Sequence, residues 1–431
     1  MSTINAAMAS NVGKEAASAL GMVDALTWVI IGFFTALELG GTVIVAQAWG
    51  RGDREGAERA AAQAIGSAVV IALALGALTA TFAGPLIHLL YPSAEPTVAA
   101  HATVYLRVTA LGYPFLAAAL ATSGSLRGSG DAKTPMYVNA AMNIVNVAAS
   151  AILIYGLRLG AARLPALGVA GAAWGLTFAR CIGAATFLLI ILPRAGRLRD
   201  LRLRITSASF FRPDITVLKK VFSIGLPSAI ENLTFNGGKL ITQTYIVFLG
   251  TDAIAANYIA AAISNFLQVP ANSLGIAATT LVGQAVGRRD REAARQALSV
   301  VVILGSLSLL IVGIPCVPLA DALSSLYTRD PEVIRISASL LRLNAVASPL
   351  IWAVSFIMPS GFRGAGDATF PMAVSMASMW IVRVSLGYVF ALPLGMGVLG
   401  VWLAMIIDWV ARAIFFTLRL RSGKWLAKAA V

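Results

Sequence analysis

The stretch Val45-Ala-Gln-Ala-Trp-Gly-Arg-Gly-Asp-Arg-Glu55 occurs twice in this chain, returning 237 residues later as Val282-Gly-Gln-Ala-Val-Gly-Arg-Arg-Asp-Arg-Glu292. A second stretch, Leu126-Arg-Gly-Ser-Gly-Asp-Ala-Lys-Thr-Pro-Met136, returns 236 residues later as Phe362-Arg-Gly-Ala-Gly-Asp-Ala-Thr-Phe-Pro-Met372. Two long matches at nearly the same offset predict a duplicated chain whose halves run in the same direction.

The composition makes lipid the expected solvent for both halves. Of the 431 residues, 58% are hydrophobic and only 12% are charged, and the mean hydropathy is +0.82. A soluble domain carries about 25% charged residues. Apolar runs of about 20 residues, the length that crosses a hydrocarbon core, recur along the chain. We therefore predict an all-α membrane protein built from two parallel repeats of six helices.

The apolar runs predict about 11 full transmembrane helices. They cover residues 20–49, 62–90, 98–124, 135–157, 168–193, 217–249, 253–286, 296–321, 332–360, 371–393 and 397–420. The helix at 217–249 should have a counterpart in the first half, of which only Met1–Val12 remain. We expect a shortened chain or a misplaced start of a 12-helix parent, with a genuine 11-helix protein as the alternative.

Basic residues divide unequally between the two sides of the predicted membrane. Loops on one side hold 22 Lys and Arg residues and loops on the other hold 5. The side rich in basic residues is cytoplasmic by the positive-inside rule, which places the C-terminus inside. The predicted domains are an N-lobe at 1–193, a cytoplasmic linker at 194–216 and a C-lobe at 217–431. The net charge of +14 then belongs to loops and does not indicate nucleic acid.

Enzyme chemistry has no sequence signature here. The sequence lacks the spacing of zinc ligands, a nucleophile triad and the Gly-Lys-Ser/Thr ending of a phosphate loop. We expect a protein that is not an enzyme and that holds no cofactor or resident metal.

The order and duplication of these motifs resemble the multidrug and toxic compound extrusion (MATE) family. The segment Gly225-Leu-Pro-Ser-Ala-Ile-Glu-Asn232 is similar to its bacterial branch. The resemblance implies a V-shaped exporter of two lobes in the bacterial inner membrane. It also implies exchange of Na⁺ or H⁺ for small organic substrates, often cationic, by alternating access. We expect a monomer in the lipid bilayer.

Two positions depart from the family pattern. Many members carry an acid where Asn5 stands, and many bacterial members pair an Asn with an acid where Asn146 and Ser150 stand. Both acids are replaced by neutral residues, which argues against coupling through a carboxylate of the N-lobe.

Charged side chains inside membrane helices are functional candidates because they are costly to insert. Helix 217–249 carries Glu231 and, on one face, Asn232, Asn236, Lys239 and Gln243, spaced 4, 3 and 4. We predict a polar cavity lining in which Glu231 handles the coupling ion. The alternative is a structural Glu231–Lys239 pair.

Three further polar sets complete the predicted sites. The next helix carries a stripe of amides, and the N-lobe carries another, expected to contact substrate or a neighbouring helix. The last two helices carry a buried charge network, expected to be structural, with gating as the alternative. The members are Asn257, Asn265, Gln268 and Asn272; Asn139, Asn143, Asn146 and Ser150; and Arg383, Asp408 and Arg412. Amide stripes can also join helices, at about 0.6 kcal/mol for each hydrogen bond.

The remaining charges in the helices, Asp24, Glu38, Arg107, Arg180 and Arg342, are predicted near helix ends, where side chains reach water. Two other functions stay open: a flippase of lipid-linked sugars with a related two-lobe fold, and a membrane scaffold or sensor without flux.

Overall fold

The computed structural model describes residues 5, 8, 13–159, 162–192, 203, 205 and 213–427, and nearly all of them are helical. The described residues of the first half from 13 onwards form seven helices. They are α1 (Lys14–Gly50), α2 (Arg54–Thr81), α3 (Ala83–Leu90), α4 (Pro96–Leu111), α5 (Tyr113–Gly128), α6 (Lys133–Tyr155) and α7 (Gly168–Ile191). A short antiparallel hairpin, β1 (Leu157–Leu159) and β2 (Ala162–Leu164), joins α6 to α7 and pairs Leu157 with Leu164.

Within residues 213–427, the second half forms nine α-helices and two π-helical segments. The helices are α8 (Ile215–Phe248), α9 (Thr251–Leu267), α10 (Val269–Gly287), α11 (Arg291–Ser325), α12 (Pro331–Ala347), α13 (Ala353–Gly364), α14 (Thr369–Ala377), α15 (Ser385–Ala391) and α16 (Gly397–Ser422). The π segments are Ser348–Trp352, between α12 and α13, and Ser378–Val384, between α14 and α15. A 3₁₀ turn, Lys424–Leu426, follows α16.

The all-α membrane class predicted from composition is confirmed, but several predicted helices are interrupted. The helices expected at 62–90, 98–124 and 253–286 are each two helices, so those continuous spans were wrong. Both α5 and α10 begin with a proline at the first or second position, where its missing N–H costs nothing. The proline thus favours a new helix start over continuation, and α4 and α5 meet at a bend of 46°.

Eight helices within the described residues are long and apolar enough to cross a membrane, and the bent pair α4–α5 would make nine. The predicted spans outside this count are α8 and the α9–α10 pair. Those are the helices with the polar stripes of the second half, and polar side chains lower their hydropathy. The residues Met1–Val12, predicted as the remnant of a first helix, lie outside the described part except for Asn5 and Met8.

Contacts divide the chain into two compact units. The first comprises 1–45 and 53–222, and the second comprises 46–52 and 223–431. The core of the first unit packs Tyr105 and Leu106 of α4 against α1, α3 and α7. The second unit has two apolar clusters, one around Phe362 and Trp409 and one around Leu341 and Trp402. Most of the predicted linker lies outside the described residues, so the predicted lobe boundaries stay a prediction.

The first repeated stretch forms the same helix start in both halves. Asp53 accepts a hydrogen bond from the Gly56 N–H at 2.8 Å, and Asp290 accepts one from the Ala293 N–H at 2.8 Å. Each aspartate therefore satisfies a backbone donor that the first turn of a helix leaves free. The repeated Asp-Arg-Glu sequence is explained by capping of α2 and α11.

The second repeated stretch forms the same tight turn in both halves. The Asp131 N–H donates to the Leu126 carbonyl at 2.9 Å, and the Asp367 N–H donates to the Phe362 carbonyl at 2.9 Å. Gly130 and Gly366 have φ values of +89° and +93°, a region that only glycine adopts without strain.

The repeated glutamine and glycine of the first stretch also have a packing role. In the second unit, to which Ala46–Gly52 belong, the Gln47 side chain donates from Nε2 to the Gly364 carbonyl at 2.9 Å. A Cβ placed on Gly50 would meet the Gln284 backbone, and one placed on Gly287 would meet the Gln47 backbone. The absence of a side chain at both glycines allows this close backbone approach.

Backbone strain in the duplicated turn gives a first prediction. Arg289 has a φ of +61°, whereas its counterpart Gly52 has a φ of +79°. The left-handed conformation costs an L-residue about 1–2 kcal/mol, and glycine also loses more freedom on folding. Arg289→Gly should therefore stabilise the protein by about 1 kcal/mol in thermal unfolding in detergent.

Gly52→Arg is the matched reverse variant, because nothing lies within 4 Å of the Cβ atom that it would add. It should lower stability. A lower unfolding temperature for Arg289→Gly would contradict the strain argument.

Candidate functional site

The second unit contains a cavity of about 390 Å³. Its walls combine amides, hydroxyls, two cations and aromatic rings contributed by α8, α9, α10, α12, α13, α16 and both π segments. The polar residues are Lys239, Thr242, Gln243, Asn257, Ser264, Asn265, Gln268, Asn272, Asn344 and Arg383, and the aromatic residues are Phe235, Trp352, Phe356, Trp402 and Trp409. This mixture suits a ligand with an apolar body and a few polar groups.

The predicted polar residues of α9 and α10 all reach this cavity. Asn257, Asn265, Gln268 and Asn272 line it together. The stripe predicted on α8 divides, because Lys239 and Gln243 line the cavity. Asn232 and Asn236 are exposed and outside that lining, and the Asn236 amide donates to the Asn232 carbonyl at 2.9 Å.

Hydrogen bonds fix the orientation of the amides in the cavity wall. Trp402 donates from Nε1 to Asn257 Oδ1 at 2.9 Å, and Asn257 donates from Nδ2 to Gln243 Oε1 at 3.3 Å. Asn344 donates to Ser264 Oγ at 3.0 Å. The Gln243 amide oxygen is thus occupied, and its amide nitrogen remains able to donate to a ligand.

The two π segments each contribute one residue to the lining. Trp352 ends the first segment, and Arg383 lies in the second. A π turn shifts the side chains that follow it out of the regular helical register and is frequent at functional sites. The helices predicted at 332–360 and 371–393 are continuous α-helices, whereas the structure interrupts each of them with a π segment.

The predicted network of Arg383, Asp408 and Arg412 contains one hydrogen-bonded pair. Arg412 donates from Nε to Asp408 Oδ1 at 3.0 Å and to Ser378 Oγ at 2.8 Å, and both charged side chains are buried. Among the described contacts, no hydrogen bond or salt bridge joins Arg383 to Asp408, but Arg383 is close enough to interact electrostatically with both Asp408 and Arg412.

One aromatic ring lies beside three cations in the second unit. The centroid of the Phe235 ring is 5.0 Å from Lys239 Nζ, 5.8 Å from Arg383 Cζ and 5.1 Å from Arg412 Cζ. Each distance allows a cation–π contact. Lys239 and Arg383 are thus brought to the same part of the cavity from α8 and from the second π segment.

Glu231 was predicted to belong to the polar cavity lining, but it is not among the residues that line the cavity. Its Oε2 accepts from Arg363 Nη2 at 2.7 Å, and both side chains are largely buried. The alternative of a Glu231–Lys239 pair is therefore wrong. The partner comes from the duplicated Arg-Gly-x-Gly-Asp turn, 132 residues further along the chain.

The first unit pairs the equivalent arginine in another way. Arg127 forms a salt bridge with Glu38, which lies on α1. The residue 237 positions after Glu38 is Gly275, which has no side chain to offer Arg363. The duplicated arginine thus has a carboxylate partner in each unit, but the two carboxylates come from non-equivalent helices.

The polar stripe of the first unit is mainly a helix contact. Asn146 and Ser150 are fully buried and hydrogen-bond to each other at 3.2 Å, and a Cβ on Gly175 of α7 would meet Ser150. The Asn143 side chain is exposed and donates to the Asn139 carbonyl at 2.8 Å. Asn5 is buried, and neither its Oδ1 nor its Nδ2 has a hydrogen-bond partner among the described residues.

Two charges predicted near helix ends, Arg180 and Arg342, differ in their environments. Arg180 lies in the middle of α7, is 4% exposed, and its Nη1 has no hydrogen-bond partner in the described part of the chain. Its placement near a helix end was wrong, and its central position between apolar residues of 168–191 was the signal for a buried role. Arg342 does reach the surface and pairs with Asp321.

The described residues contain no group of three or more His, Cys, Asp or Glu that could hold a metal ion.

Comparison with protein families decides the identity of this fold. The MatE family model matches residues 1–152 and 227–389. The chain belongs to the MatE family. The match covers both halves, and the predicted family resemblance is confirmed.

Relatives cover nearly the whole MatE chain. It is 29% identical to the uncharacterized transporter YisQ of Bacillus subtilis, over 99% of this chain and 91% of the relative. It is also 29% identical to a probable multidrug resistance protein NorM of Thermotoga maritima, over 96% of this chain and 86% of that protein.

Solved structures show the same fold at lower sequence identity. A MATE protein crystallised in a bent conformation gives a TM-score of 0.88 at 22% identity, covering 98% of this chain and 91% of that one. A MOP superfamily transporter from Pyrococcus furiosus gives 0.87 at 22% identity, covering 98% and 92%. Its description states that a reversed polarity of the binding pocket suggests a different function.

The buried pair on α16 of the MatE chain generates a second prediction. Asp408→Asn would leave Arg412 buried without a counter-charge, and breaking a buried pair in this way costs about 3–5 kcal/mol. We expect a large fall in the thermal unfolding temperature of the detergent-purified protein.

Glu332→Gln is the control, because Glu332 pairs with Arg335 at the surface, with both side chains at least half exposed. It should change stability little. If Asp408→Asn unfolds at the same temperature as Glu332→Gln, the pair does not stabilise α16.

Proposed function

We propose that this protein is a secondary active exporter that exchanges Na⁺ or H⁺ for small organic molecules. It acts in a bacterial inner membrane with its C-terminus in the cytoplasm, and it works as a monomer. Membership of the MatE family supports transport, and relatives named as probable multidrug resistance proteins support organic substrates. The excess of basic residues on one set of loops supports the orientation.

The observation that carries this proposal is the cavity of the second unit. Six predicted polar residues from three helices meet there, and three tryptophans complete the wall. If these amides served only to join neighbouring helices, we would not expect them to line a single cavity of about 390 Å³. A cavity of that size is in the range of small-molecule sites.

Glu231 is the carboxylate that handles the coupling ion in this proposal. It is the only acid in α8, it is largely buried, and its counter-ion is Arg363. A Na⁺ or H⁺ that binds Glu231 must compete with the guanidinium. Binding would weaken the contact between α8 and the last turn of α13, and this provides a link between ion binding and helix movement.

Alternating access follows from the duplicated architecture. Transporters built from repeats expose their site to each side in turn by moving one repeat against the other. One charge that crosses about 100 mV supplies about 2.3 kcal/mol, which supports a gradient of roughly 50-fold for a neutral substrate. The entry of one coupling ion for each exported molecule therefore supplies enough free energy to maintain this substrate gradient.

A flippase of lipid-linked sugars is the second candidate. Lys239 and Arg383 in the cavity favour it, because the substrates of such flippases carry phosphate groups. Arg342 adds nothing to this argument, since it pairs with Asp321 outside the cavity. A scaffold or sensor without flux is the third, and it would leave the cavity without a transported ligand.

The direct test is flux through reconstituted vesicles under a Na⁺ gradient and, separately, a H⁺ gradient. We expect a panel of fluorescent cationic, neutral and anionic dyes to include at least one that moves only when a gradient is imposed. Empty vesicles provide the baseline. Absence of gradient-dependent movement for the whole panel would reject the exporter and favour the scaffold.

The third prediction concerns Glu231. Glu231→Gln should reduce ion-driven efflux at least about 10-fold, because the amide neither carries a proton nor binds a cation with a full charge. Glu332→Gln, an exposed site, should leave efflux unchanged.

A charge exchange separates coupling from structure. The double variant Glu231→Arg with Arg363→Glu restores an ion pair but moves the carboxylate to α13. We expect the thermal stability to recover and the coupled efflux to stay low. Full recovery of efflux in the double variant, or wild-type efflux by Glu231→Gln, would show that Glu231 has a structural role only.

A further inference from the structure

We propose that the cavity of the second unit binds an organic anion, namely an aromatic body that carries a carboxylate, sulfonate or phosphate group, between Lys239 and Arg383. The proposal names the substrate class of the exporter and in that respect rests on the proposed function. Binding of the anion to the cavity can be measured without transport.

The charge balance of the cavity is the first argument. Its walls carry two cations, Lys239 and Arg383, and no carboxylate. The carboxylates of the neighbouring elements are engaged elsewhere: Asp408 with Arg412, Glu231 with Arg363, and Asp367 with Arg419 at 2.7 Å. If Asp408 is shared between Arg383 and Arg412, it offsets one positive charge. Lys239, Arg383 and Arg412 together then still leave two positive charges beside the cavity.

The second argument is that two buried hydrogen-bond donors of the cavity wall have no partner within the described residues. Arg383 is 8% exposed and lies within a membrane helix, and its Nε has no hydrogen-bond partner in the described part of the chain. The Nε1 of Trp409, which also lines the cavity, is buried and unpartnered in the same way. Burying a charge or a donor without a partner is costly, and a bound anion accepts from such groups.

The arrangement of the two cations is the third argument. Lys239 Nζ and Arg383 Cζ are 5.0 Å and 5.8 Å from the centroid of the same Phe235 ring, on helices that are far apart in sequence. An anionic group placed between the two cations would be attracted by both. The amide nitrogen of Gln243, whose oxygen already accepts from Asn257, adds a neutral donor on the same helix as Lys239.

The aromatic walls define the rest of the ligand. Trp352 and Phe356 stack at 4.8 Å between centroids, and Phe356 meets Trp409 edge to face at 5.9 Å. These faces suit a flat apolar body next to the charged group. An organic cation would have to approach Lys239 and Arg383 without a carboxylate in the cavity wall to offset the repulsion.

An anionic substrate changes the electrical consequence of export. A monovalent cation exchanged for one Na⁺ or H⁺ moves no net charge. A monovalent anion that leaves while a cation enters moves two charges, both driven by an inside-negative potential. Substrate charge therefore predicts whether efflux depends on voltage.

The test is equilibrium binding to the purified full-length protein in detergent. The probe is 2-naphthoate, and its matched cation is 2-naphthylmethylammonium, which has a similar aromatic body. Isothermal calorimetry should show tighter binding of the anion.

Arg383→Gln and Lys239→Gln should each weaken anion binding by about 10- to 100-fold, the range for a hydrogen bond to a charged group. Arg342→Gln, which removes a cation outside the cavity, is the control and should bind like the wild type.

Two further ligands separate the sources of the anionic group. Inorganic phosphate alone should bind at least about 10-fold more weakly than naphthoate, since it does not use the aromatic walls. A polyprenyl pyrophosphate that binds when naphthoate does not would overturn the small-anion proposal in favour of a lipid-linked ligand. Equal or tighter binding of the naphthyl cation, or unchanged anion binding by both Gln variants, would overturn it as well.

Failure of the two proposals can be distinguished. Anion binding without flux in vesicles would retain this site and reject the exporter. Gradient-driven flux of cations only, with no anion binding, would retain the exporter and reject this site. If both hold, naphthoate efflux should increase when valinomycin and K⁺ set an inside-negative potential, whereas efflux of a monovalent cation should not.

Discussion

Ionised side chains that leave water for a membrane interior need a partner within the protein, and this constraint organises the whole chain. It is met twice by the same duplicated arginine. Arg127 pairs with Glu38 in the first unit, and Arg363 pairs with Glu231 in the second. The two arginines are equivalent by sequence, but their carboxylates come from α1 and α8, which are not. Gly275 stands where Glu38 would have its counterpart, so a carboxylate on α8 is required in the second unit.

The same constraint is not satisfied at the cavity of the second unit. Asp408 neutralises Arg412, but Arg383 and Lys239 have no carboxylate within salt-bridge distance in the described part of the chain. The largely buried carboxylates Glu231, Asp408 and Asp367 of the second unit each pair with another arginine, so there must be a reason why Lys239 and Arg383 remain available. Substrate recognition by charge provides that reason, and the aromatic and amide walls supply the remaining contacts. The first unit has neutral amides at Asn5 and Asn146, and this asymmetry places the proposed chemistry in the second unit.

Much of this organisation could be predicted from the sequence. The duplication, the capped helix starts at Asp53 and Asp290, and the turns after Arg127 and Arg363 depend on local patterns that the chain repeats. The convergence of Asn257, Asn265, Gln268 and Asn272 followed from helical periodicity, because it depends on one helical region only. The family resemblance rested on the same motifs and is confirmed.

Long-range pairing could not be predicted in the same way. The partner of Glu231 lies 132 residues away, and periodicity within one helix favoured Lys239. The π segment at Ser378–Val384 has no sequence signature that separates it from a continuous helix, yet it shifts the register of Arg383. The one-turn spacing of Asp408 and Arg412 accounts for their salt bridge, whereas the position of Arg383 beside them depends on how the second π segment packs against α16.

Covalent capture of a transported substrate tests the central claim most directly, since that claim places the substrate site in the cavity of the second unit. An aromatic substrate found in the flux panel can be prepared as an aryl azide, photolysed on the membrane-embedded protein, and mapped by mass spectrometry. The account predicts labelled residues on α8, α9, α12 or α16 that line the cavity, and protection of those residues by excess unmodified substrate. Protected labelling confined to the first unit would contradict it.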